Sequence, residues 1–183
     1  MLHMNKEKQR LKSVLKDKSI LKGDFILASG KKSTYYIDAR LTSLDAEGLL
    51  LIGKIFLNEI IKDPEISGVG GPTMGADPIV GSIITQSHII GKNLNGFLVR
   101  KEEKKHGTGK LIEGMLSEGD KVVIVEDVVT TGGSVIKAIN AVRNIGAIVK
   151  KVIVIVDREE GVVEQFKELG IEYKPVFRIS ELL

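Results

Sequence analysis

The sequence predicts an α/β fold, a doubly wound and mostly parallel sheet flanked by helices, with a small hood at the amino-terminal end. Short β-branched runs alternate with helical patterns along the body of the chain. Glycine-rich turns follow two of these runs, at residues 70–72 and 130–134, as in strand–loop–helix units. Hydrophobic residues make up 43% of the chain and aromatic residues only 4%, so we expect a core of Ile, Val and Leu. Such aliphatic cores are typical of parallel sheets.

Length and composition narrow the class of protein further. A chain of 183 residues predicts one domain, with about 1–40 forming an amino-terminal helix and hood and about 41–183 forming the core. The absence of cysteine excludes disulfides and thiol chemistry. The basic amino-terminal segment lacks the apolar stretch of a signal peptide, so we expect a cytoplasmic protein that is neither secreted nor bound to a membrane. A net charge of +3 without interleaved aromatic residues disfavours nucleic-acid binding.

The first third of the sequence predicts two helices, one before and one after a β-hairpin. Residues 5–18 carry apolar side chains at helical spacing among many charges, which indicates an amphipathic helix. Residues 24–40 predict two strands joined by a Ser-Gly-Lys-Lys turn. Residues 43–62 predict a second helix, which ends near Pro64 because proline cannot continue a helix.

The remaining elements alternate between strand and helix. Residues 66–87 predict a strand, a glycine-rich turn and a helix, and residues 95–99 predict another buried strand. A further buried strand is expected at 149–156, followed by a helix at 159–169 and a last strand at 173–177. The side chains expected to face inward from the 159–169 helix are Val162, Val163, Phe166 and Leu169.

Residues 121–134, KVVIVEDVVTTGGS, carry the chemistry around which the other segments are arranged. The β-branched run Val122–Val125 predicts a strand buried on both faces, and the hydroxyl- and glycine-rich turn 130–134 then opens a helix. Free backbone N–H groups and the positive end of the helix dipole favour a phosphate there. Glu126 and Asp127 would repel a phosphate, so they suit ribose hydroxyls or a cation carried by the ligand. A bare TGGS turn is commonly an ordinary βα turn, but the acidic pair before it favours a site for a phosphorylated sugar.

This segment resembles the phosphoribosyl-diphosphate (PRPP) binding motif of type I phosphoribosyltransferases. The motif is specific for the superfamily and leaves the acceptor base open. By this resemblance, the turn binds the 5'-phosphate and the acidic pair binds the ribose hydroxyls. The resemblance assigns PRPP binding to Glu126, Asp127, Val128, Val129, Thr130, Thr131, Gly132, Gly133 and Ser134.

Two other segments resemble orotate phosphoribosyltransferases in particular. The spacing F-x-L-x-S-G-x-x-S-x-Y-Y-x-D-x-R at residues 25–40 is similar to the hood of that family, whose strand backbone binds the pyrimidine. The pattern R-K-x-x-K-x-H-G at residues 100–107 is similar to its mobile catalytic loop, although a charge run alone is usually a solvated loop. The chain departs from the family at Ala28 and Met74, where a lysine is common in many members.

The resemblance implies roles for the residues of these segments. Orotate binding is assigned to Tyr36, Ile37, Thr130 and Arg158, and a guanidinium at the carboxyl end of a strand suits the planar orotate carboxylate. On position alone, Arg158 could equally form a salt bridge to Glu159 or Glu160. The resemblance also assigns PRPP binding to the 100–107 loop residues, with the last three also catalytic: Arg100, Lys101, Lys104 and His106.

The resemblance implies transfer of phosphoribosyl from PRPP to orotate. The expected cofactor is Mg²⁺, brought mainly by PRPP and without a dedicated protein metal site. The expected partners are the two substrates and a second copy of the chain, in a homodimer that shares the 100–110 loop between subunits. A purine-base phosphoribosyltransferase and a non-catalytic PRPP-sensing regulator stay open as alternatives, because both would retain the central motif.

Overall fold

The computed structural model describes residues 2–26, 32–102 and 110–183, with side chains from residue 5. Its helices are α1 (Leu2–Lys18), α2 (Arg40–Ser43), α3 (Ala46–Ile60), α4 (Ala76–Ile89), α5 (Gly133–Asn144) and α6 (Val162–Glu168), followed by a 3-10 helix at Ile179–Glu181. Its strands are β1 (Ile20–Ile26), β2 (Lys32–Ile37), β3 (Gly68–Pro72), β4 (Asn95–Val99), β5 (Ile112–Gly114), β6 (Lys121–Val129), β7 (Ile148–Asp157) and β8 (Glu172–Arg178).

Six of the strands form the central sheet, in the order β5-β4-β3-β6-β7-β8. All neighbouring pairs are parallel except β4 with β5, which is a short antiparallel edge. Alternate side chains of β6 face opposite sides, so Val123 lies in a core with α1, α3 and α4 while Val122 lies in a core with α5 and α6. The doubly wound, mostly parallel α/β fold predicted from the sequence is confirmed.

The hood is the two-stranded antiparallel sheet of β1 and β2, as predicted. It begins earlier than expected, since Ile20 already pairs with Ile37. The buried hydroxyls of Ser19 and Thr42 lie 2.7 Å apart and join the base of the hood to α2. The connecting residues 27–31, including Ala28, lie outside the described part of the chain.

Two helices differ from their predicted forms. The helix predicted at 43–62 begins only at Ala46, as α3, because Asp45 caps it by accepting a hydrogen bond from the Gly48 amide at 3.0 Å, and the short α2 precedes it. The helix predicted at 159–169 begins at Val162, because Gly161 has a left-handed φ of 88°. The inward orientation expected for Val163 is wrong, since its side chain is 47% exposed.

The sheet brings the predicted site segments to one edge. The strands β3, β6 and β7 are neighbours, so their carboxyl ends, and the loops that follow them, lie side by side. The Arg158 amide donates a hydrogen bond to the Val129 carbonyl at 2.9 Å, which ties the ends of β7 and β6 together. Within the described ranges, none of the helices has the length and hydropathy required to cross a membrane.

Candidate active site

The turn after β6 has the geometry of an anion-binding loop. Residues 130–132 connect β6 to α5, and Gly132 has a φ of 78° that side chains rarely adopt. A Cβ at Gly132 would lie 2.5 Å from Val162 Cγ2, so packing as well as conformation requires glycine. The first amides of α5 have no acceptor within the helix and carry the positive end of its dipole. The exposed Thr131 and Ser134 add hydroxyl donors at the same place.

The acidic pair lies inside β6, because the strand continues to Val129 beyond the predicted Val122–Val125. Glu126 is buried, and its Oε1 accepts a hydrogen bond from the Asp127 amide at 3.0 Å. The Ser134 hydroxyl lies 3.4 Å from Glu126 Oε2. Asp127 is half-buried, and its Oδ1 accepts a hydrogen bond from the Val128 amide at 2.6 Å. The more accessible carboxylate of the pair is therefore Asp127.

Burial, and to a smaller extent the neighbouring negative charge of Asp127, raise the pKa of Glu126 to about 9. The hydrogen bonds from the Asp127 amide and the Ser134 hydroxyl oppose the rise only in part. Glu126 is therefore protonated near neutral pH in the free protein. A protonated Glu126 can donate a hydrogen bond to a ligand oxygen, while Asp127 acts as an acceptor.

This pKa makes the stability of the free protein dependent on pH. Its ordinary value is 4.5, so the folded protein holds a proton that the unfolded chain releases between about pH 4.5 and 9. The stabilisation is complete below this window and is lost as pH rises through it. A Glu126→Gln variant lacks this loss, so we expect its melting temperature without ligands to exceed that of the wild type by on the order of 10 °C at pH 9. Thermal denaturation of both proteins from acid to alkaline pH measures the difference, and a gap that widened toward acid pH would contradict the assignment.

The loop after β3 lies directly against the acidic pair. A Cβ placed on Gly75 would lie 2.4 Å from Glu126 Oε1 and 2.6 Å from Asp127 Oδ1, so glycine permits this close approach. The loop is held by the Thr73 amide, which donates to the Val99 carbonyl at 2.9 Å, and its Thr73–Met74 peptide bond is cis. The Met74 side chain is 66% exposed and offers no charge to a ligand. Backbone groups of this loop remain as the donors that can face a diphosphate.

Arg158 follows the end of β7, at the same edge of the sheet as the turn after β6. Its side chain is only 12% exposed, and its Nε lies 3.4 Å from Glu160 Oε1 without a hydrogen bond. The salt bridge to Glu160 that the sequence left open is thus present. The guanidinium carbon lies 5.9 Å from the centre of the Tyr35 ring, so the hood covers the arginine with an aromatic face.

Tyr35 is the residue that the sequence interpretation missed in the hood. It packs on the core side of β2 together with the buried Ile37, whereas Tyr36 points to the opposite face and is 38% exposed. The period of two along a strand would have placed Tyr35 and Ile37 on the same face. Ile37 lies on the same face of β2 as Tyr35, and Arg158 lies under the Tyr35 ring. Two of the residues predicted to bind orotate are therefore close to Tyr35. Tyr36 instead lies beside Phe25, with ring centres 5.7 Å apart.

The 100–107 segment begins next to the turn that connects β6 to α5. Arg100 and Lys101 line a cavity of about 580 Å³ together with Thr73 and Ser134. Arg100 Nη1 lies 3.6 Å from Glu113 Oε1 of β5, which holds the arginine at the side of this cavity. The predicted residues Lys104 and His106 lie outside the described part of the chain. Cationic side chains therefore adjoin the donors of both loops, where a diphosphate would require them.

The fit of Mg²⁺ to this site depends on the two carboxylates. Over residues 2–26, 32–102 and 110–183, no cluster of three His, Asp or Glu side chains could hold a metal ion. The half-buried Asp127 is a hard oxygen ligand of the type that Mg²⁺ accepts, and Mg²⁺ commonly uses one or two carboxylates with substrate phosphates and water. Asp127 could therefore serve as a ligand to a Mg²⁺ ion that a phosphorylated substrate brings to the site.

The fold and these loops define a phosphoribosyltransferase, since residues 55–170 match the family model described as a phosphoribosyl transferase domain. An orotate phosphoribosyltransferase of Rhodopirellula baltica is 42% identical over 97% of this chain and 94% of its own length. One of Methanocaldococcus jannaschii is 46% identical over 96% and 97%. The crystal structure of Mycobacterium tuberculosis H37Rv orotate phosphoribosyltransferase in complex with PRPP superposes with a TM-score of 0.80 at 34% identity, covering 96% of this chain and 98% of that one. The chain belongs to the orotate phosphoribosyltransferase family.

Proposed function

We infer that the protein transfers the 5-phosphoribosyl group of PRPP to N1 of orotate, giving orotidine 5'-phosphate and pyrophosphate in pyrimidine biosynthesis. The bond from C1' of the ribose to the diphosphate oxygen breaks, the N1–C1' bond forms, and the N1 proton is released. The observation that carries this function is the position of Arg158, beside the strand that leads into the phosphate loop and beneath the aromatic face of Tyr35. A guanidinium in this place is suited to the carboxylate that distinguishes orotate from other bases.

The donor side of the site follows from the two loops and the acidic pair. We propose that residues 130–134 bind the 5'-phosphate through amides and hydroxyls, while Asp127 and Glu126 bind the ribose hydroxyls. Val128 and Val129 contribute the backbone that leads into this turn. Fixing the ribose at both ends holds C1' in place while the leaving group departs, so positioning accounts for much of the expected catalysis.

The leaving diphosphate needs positive charge, which we assign to Arg100, Lys101, Lys104 and His106. The first two line the cavity that also contains Thr73 and Ser134. Bound Mg²⁺ would add to this neutralisation of the diphosphate oxygens. Lys104 or His106 would also be able to pass a proton to the departing oxygen. Lys101, Lys104 and His106 are therefore our candidate catalytic residues.

The acceptor side places orotate between the hood and Arg158. We propose that the backbone of Tyr36 and Ile37 contacts the pyrimidine, that Arg158 binds its carboxylate, and that Thr130 lies between acceptor and donor. The proposed assembly is a homodimer in which the 100–110 loop reaches the partner's site. The cytoplasmic location of the protein stays a prediction.

The choice of acceptor tests this function. With PRPP and Mg²⁺, we expect pyrophosphate release to depend on orotate, with adenine and hypoxanthine inactive and uracil poor because it lacks the carboxylate. Release of pyrophosphate and formation of the nucleotide are measured together for each base. Turnover with a purine alone would instead indicate a purine-base phosphoribosyltransferase, and PRPP binding without turnover of any base would indicate a PRPP-sensing regulator.

A further inference from the structure

Few contacts of its own fix the direction of the Arg158 guanidinium. The side chain itself has few directional contacts in the described structure, namely the ion pair to Glu160 at 3.4 Å and the face of Tyr35. Its Nε is buried without a hydrogen bond. The Arg158 amide donates to the Val129 carbonyl at 2.9 Å, which fixes the backbone on the β7 side. The geometry on the other side depends on the next residue, Glu159.

Glu159 has an unusual backbone conformation that needs support. Its φ is 59°, in the left-handed region, and among the described residues other than glycine it alone has a positive φ. This conformation costs free energy for a residue with a side chain, so neighbouring contacts have to hold it. The Glu159 amide donates to Oδ1 of the buried Asp157 at 2.8 Å, which closes the turn around Arg158.

The Glu159 side chain supplies the second support. Its Oε2 accepts a hydrogen bond from the Ser180 amide at 3.0 Å, across 21 residues of sequence. Hydrogen bonds from Ser180 hold the pKa of the Glu159 carboxyl below its ordinary value, with a smaller contribution from the charge of Arg178. The carboxylate is therefore ionised and available as an acceptor at neutral pH.

The partner of Glu159 is itself anchored in the core. Ser180 belongs to the 3-10 helix at Ile179–Glu181, and the flanking side chains of Ile179 and Leu182 are 5% and 1% exposed within the core cluster below the hood side of the sheet. The 3-10 helix thus presents a fixed amide to a turn that is otherwise on the surface. This amide connects the core of the protein to the turn that carries Arg158.

We propose that Glu159 is a positioning residue for Arg158, and that the carboxyl-terminal 3-10 helix at Ile179–Glu181 is thereby part of the acceptor site. The inference rests on the proposed function, in which Arg158 binds the orotate carboxylate. Without the bond between Glu159 and Ser180, the turn populates conformations in which the guanidinium points elsewhere. Orotate binds only the competent fraction, so its apparent affinity falls by that fraction while PRPP binding is unaffected.

The test compares Glu159→Ala, which removes the acceptor, with Glu159→Gln, which keeps an acceptor oxygen. One hydrogen bond of this kind predicts a rise of about fivefold in the KM for orotate with Glu159→Ala. The KM for PRPP is expected to stay at its wild-type value, the melting temperature of Glu159→Ala is expected to fall by only about 2–4 °C, and Glu159→Gln is expected to restore most of the orotate KM. Glu164→Ala is the matched control, because Glu164 is an exposed acid of α6 whose ion pair, within the described residues, is with Lys167 at 3.8 Å.

Three results would overturn the proposal: an unchanged orotate KM in Glu159→Ala, equal rises of both KM values, or a glutamine variant as impaired as the alanine variant. The wild-type protein is assayed beside the variants. Absence of orotate turnover in the wild type would refute the proposed function itself, whereas wild-type turnover with unaffected variants would refute only the role of Glu159.

Discussion

Replacement of Arg158 by alanine is expected to lower kcat/KM for orotate by about 100-fold, because a buried bidentate pair with a carboxylate contributes about 3 kcal/mol. The arginine is 12% exposed and has no hydrogen bond at Nε, so its donors are available to a ligand. Turnover of uracil, which lacks the carboxylate, is expected to stay at the wild-type level. The preference for orotate over uracil should therefore disappear in this variant. Steady-state kinetics with both bases measure the change.

Two further variants make this test specific. Arg158→Lys keeps the charge without the planar fork, so we expect an intermediate loss. Arg143→Ala is the matched control, because Arg143 lies in the last turn of α5 and donates to the Leu169 carbonyl at 2.9 Å, away from the acceptor site. An Arg158→Ala protein that retained the wild-type preference for orotate would show that another group binds the orotate carboxylate.

Replacement of Gly75 by alanine is expected to raise the KM for PRPP by about tenfold, since about 1.4 kcal/mol of lost binding gives this factor. The added methyl would lie 2.4 Å from Glu126 Oε1 and 2.6 Å from Asp127 Oδ1. Both oxygens already accept backbone hydrogen bonds within β6, so the carboxylates cannot move away without breaking them. The displaced pair would meet the ribose hydroxyls in the wrong geometry.

Gly81→Ala is the control for this effect. Gly81 lies in the same helix region, in the middle of α4, and a Cβ there meets nothing within 4 Å. An alanine at Gly81 is expected to leave the KM for PRPP unchanged. Equal KM values for PRPP in Gly75→Ala and the wild type would mean that the acidic pair does not contact the ribose. Initial rates at varied PRPP concentration distinguish these outcomes.

The alternation of strands and helices was readable from the sequence because buried parallel strands are continuous β-branched runs. Val122–Val125 and the 149–156 run are of this kind, and both are central strands of the sheet. The three-residue strand β5 was not predicted, since so short a segment carries no periodic pattern. The end of β6 was also missed, because Glu126 and Asp127 are polar residues inside a strand and resemble its termination.

The sequence predicted which segments lie at the candidate site, but few of the contacts between their residues. Local motifs singled out the turn at residues 130–134 and Arg158 as candidates, and the rule that parallel strands share a carboxyl edge placed them at the same edge of the sheet. Contacts between residues distant in sequence were not predictable in this way. The stacking of Tyr35 on Arg158, the approach of Gly75 to the acidic pair and the bond from Ser180 to Glu159 all depend on tertiary packing.

Under the proposed function, the enzyme recognises its acceptor by charge and its donor by phosphate and ribose contacts. Arg158 lies at the end of β7 and the phosphate loop follows the adjacent β6, so acceptor and donor groups belong to neighbouring strands. This arrangement would hold N1 of orotate and C1' of the ribose at one edge of a rigid sheet. Preorganisation of this kind reduces the entropy that the reaction has to lose.

The most direct test of this account is an experimental structure of the protein with orotate, PRPP and Mg²⁺ or an unreactive analogue of that complex. We expect the orotate carboxylate on the Arg158 guanidinium, its ring against the backbone of Tyr36 and Ile37, and the 5'-phosphate within residues 130–134. An orotate carboxylate bound away from Arg158, with the phosphate outside the turn after β6, would contradict the assignment of both substrates.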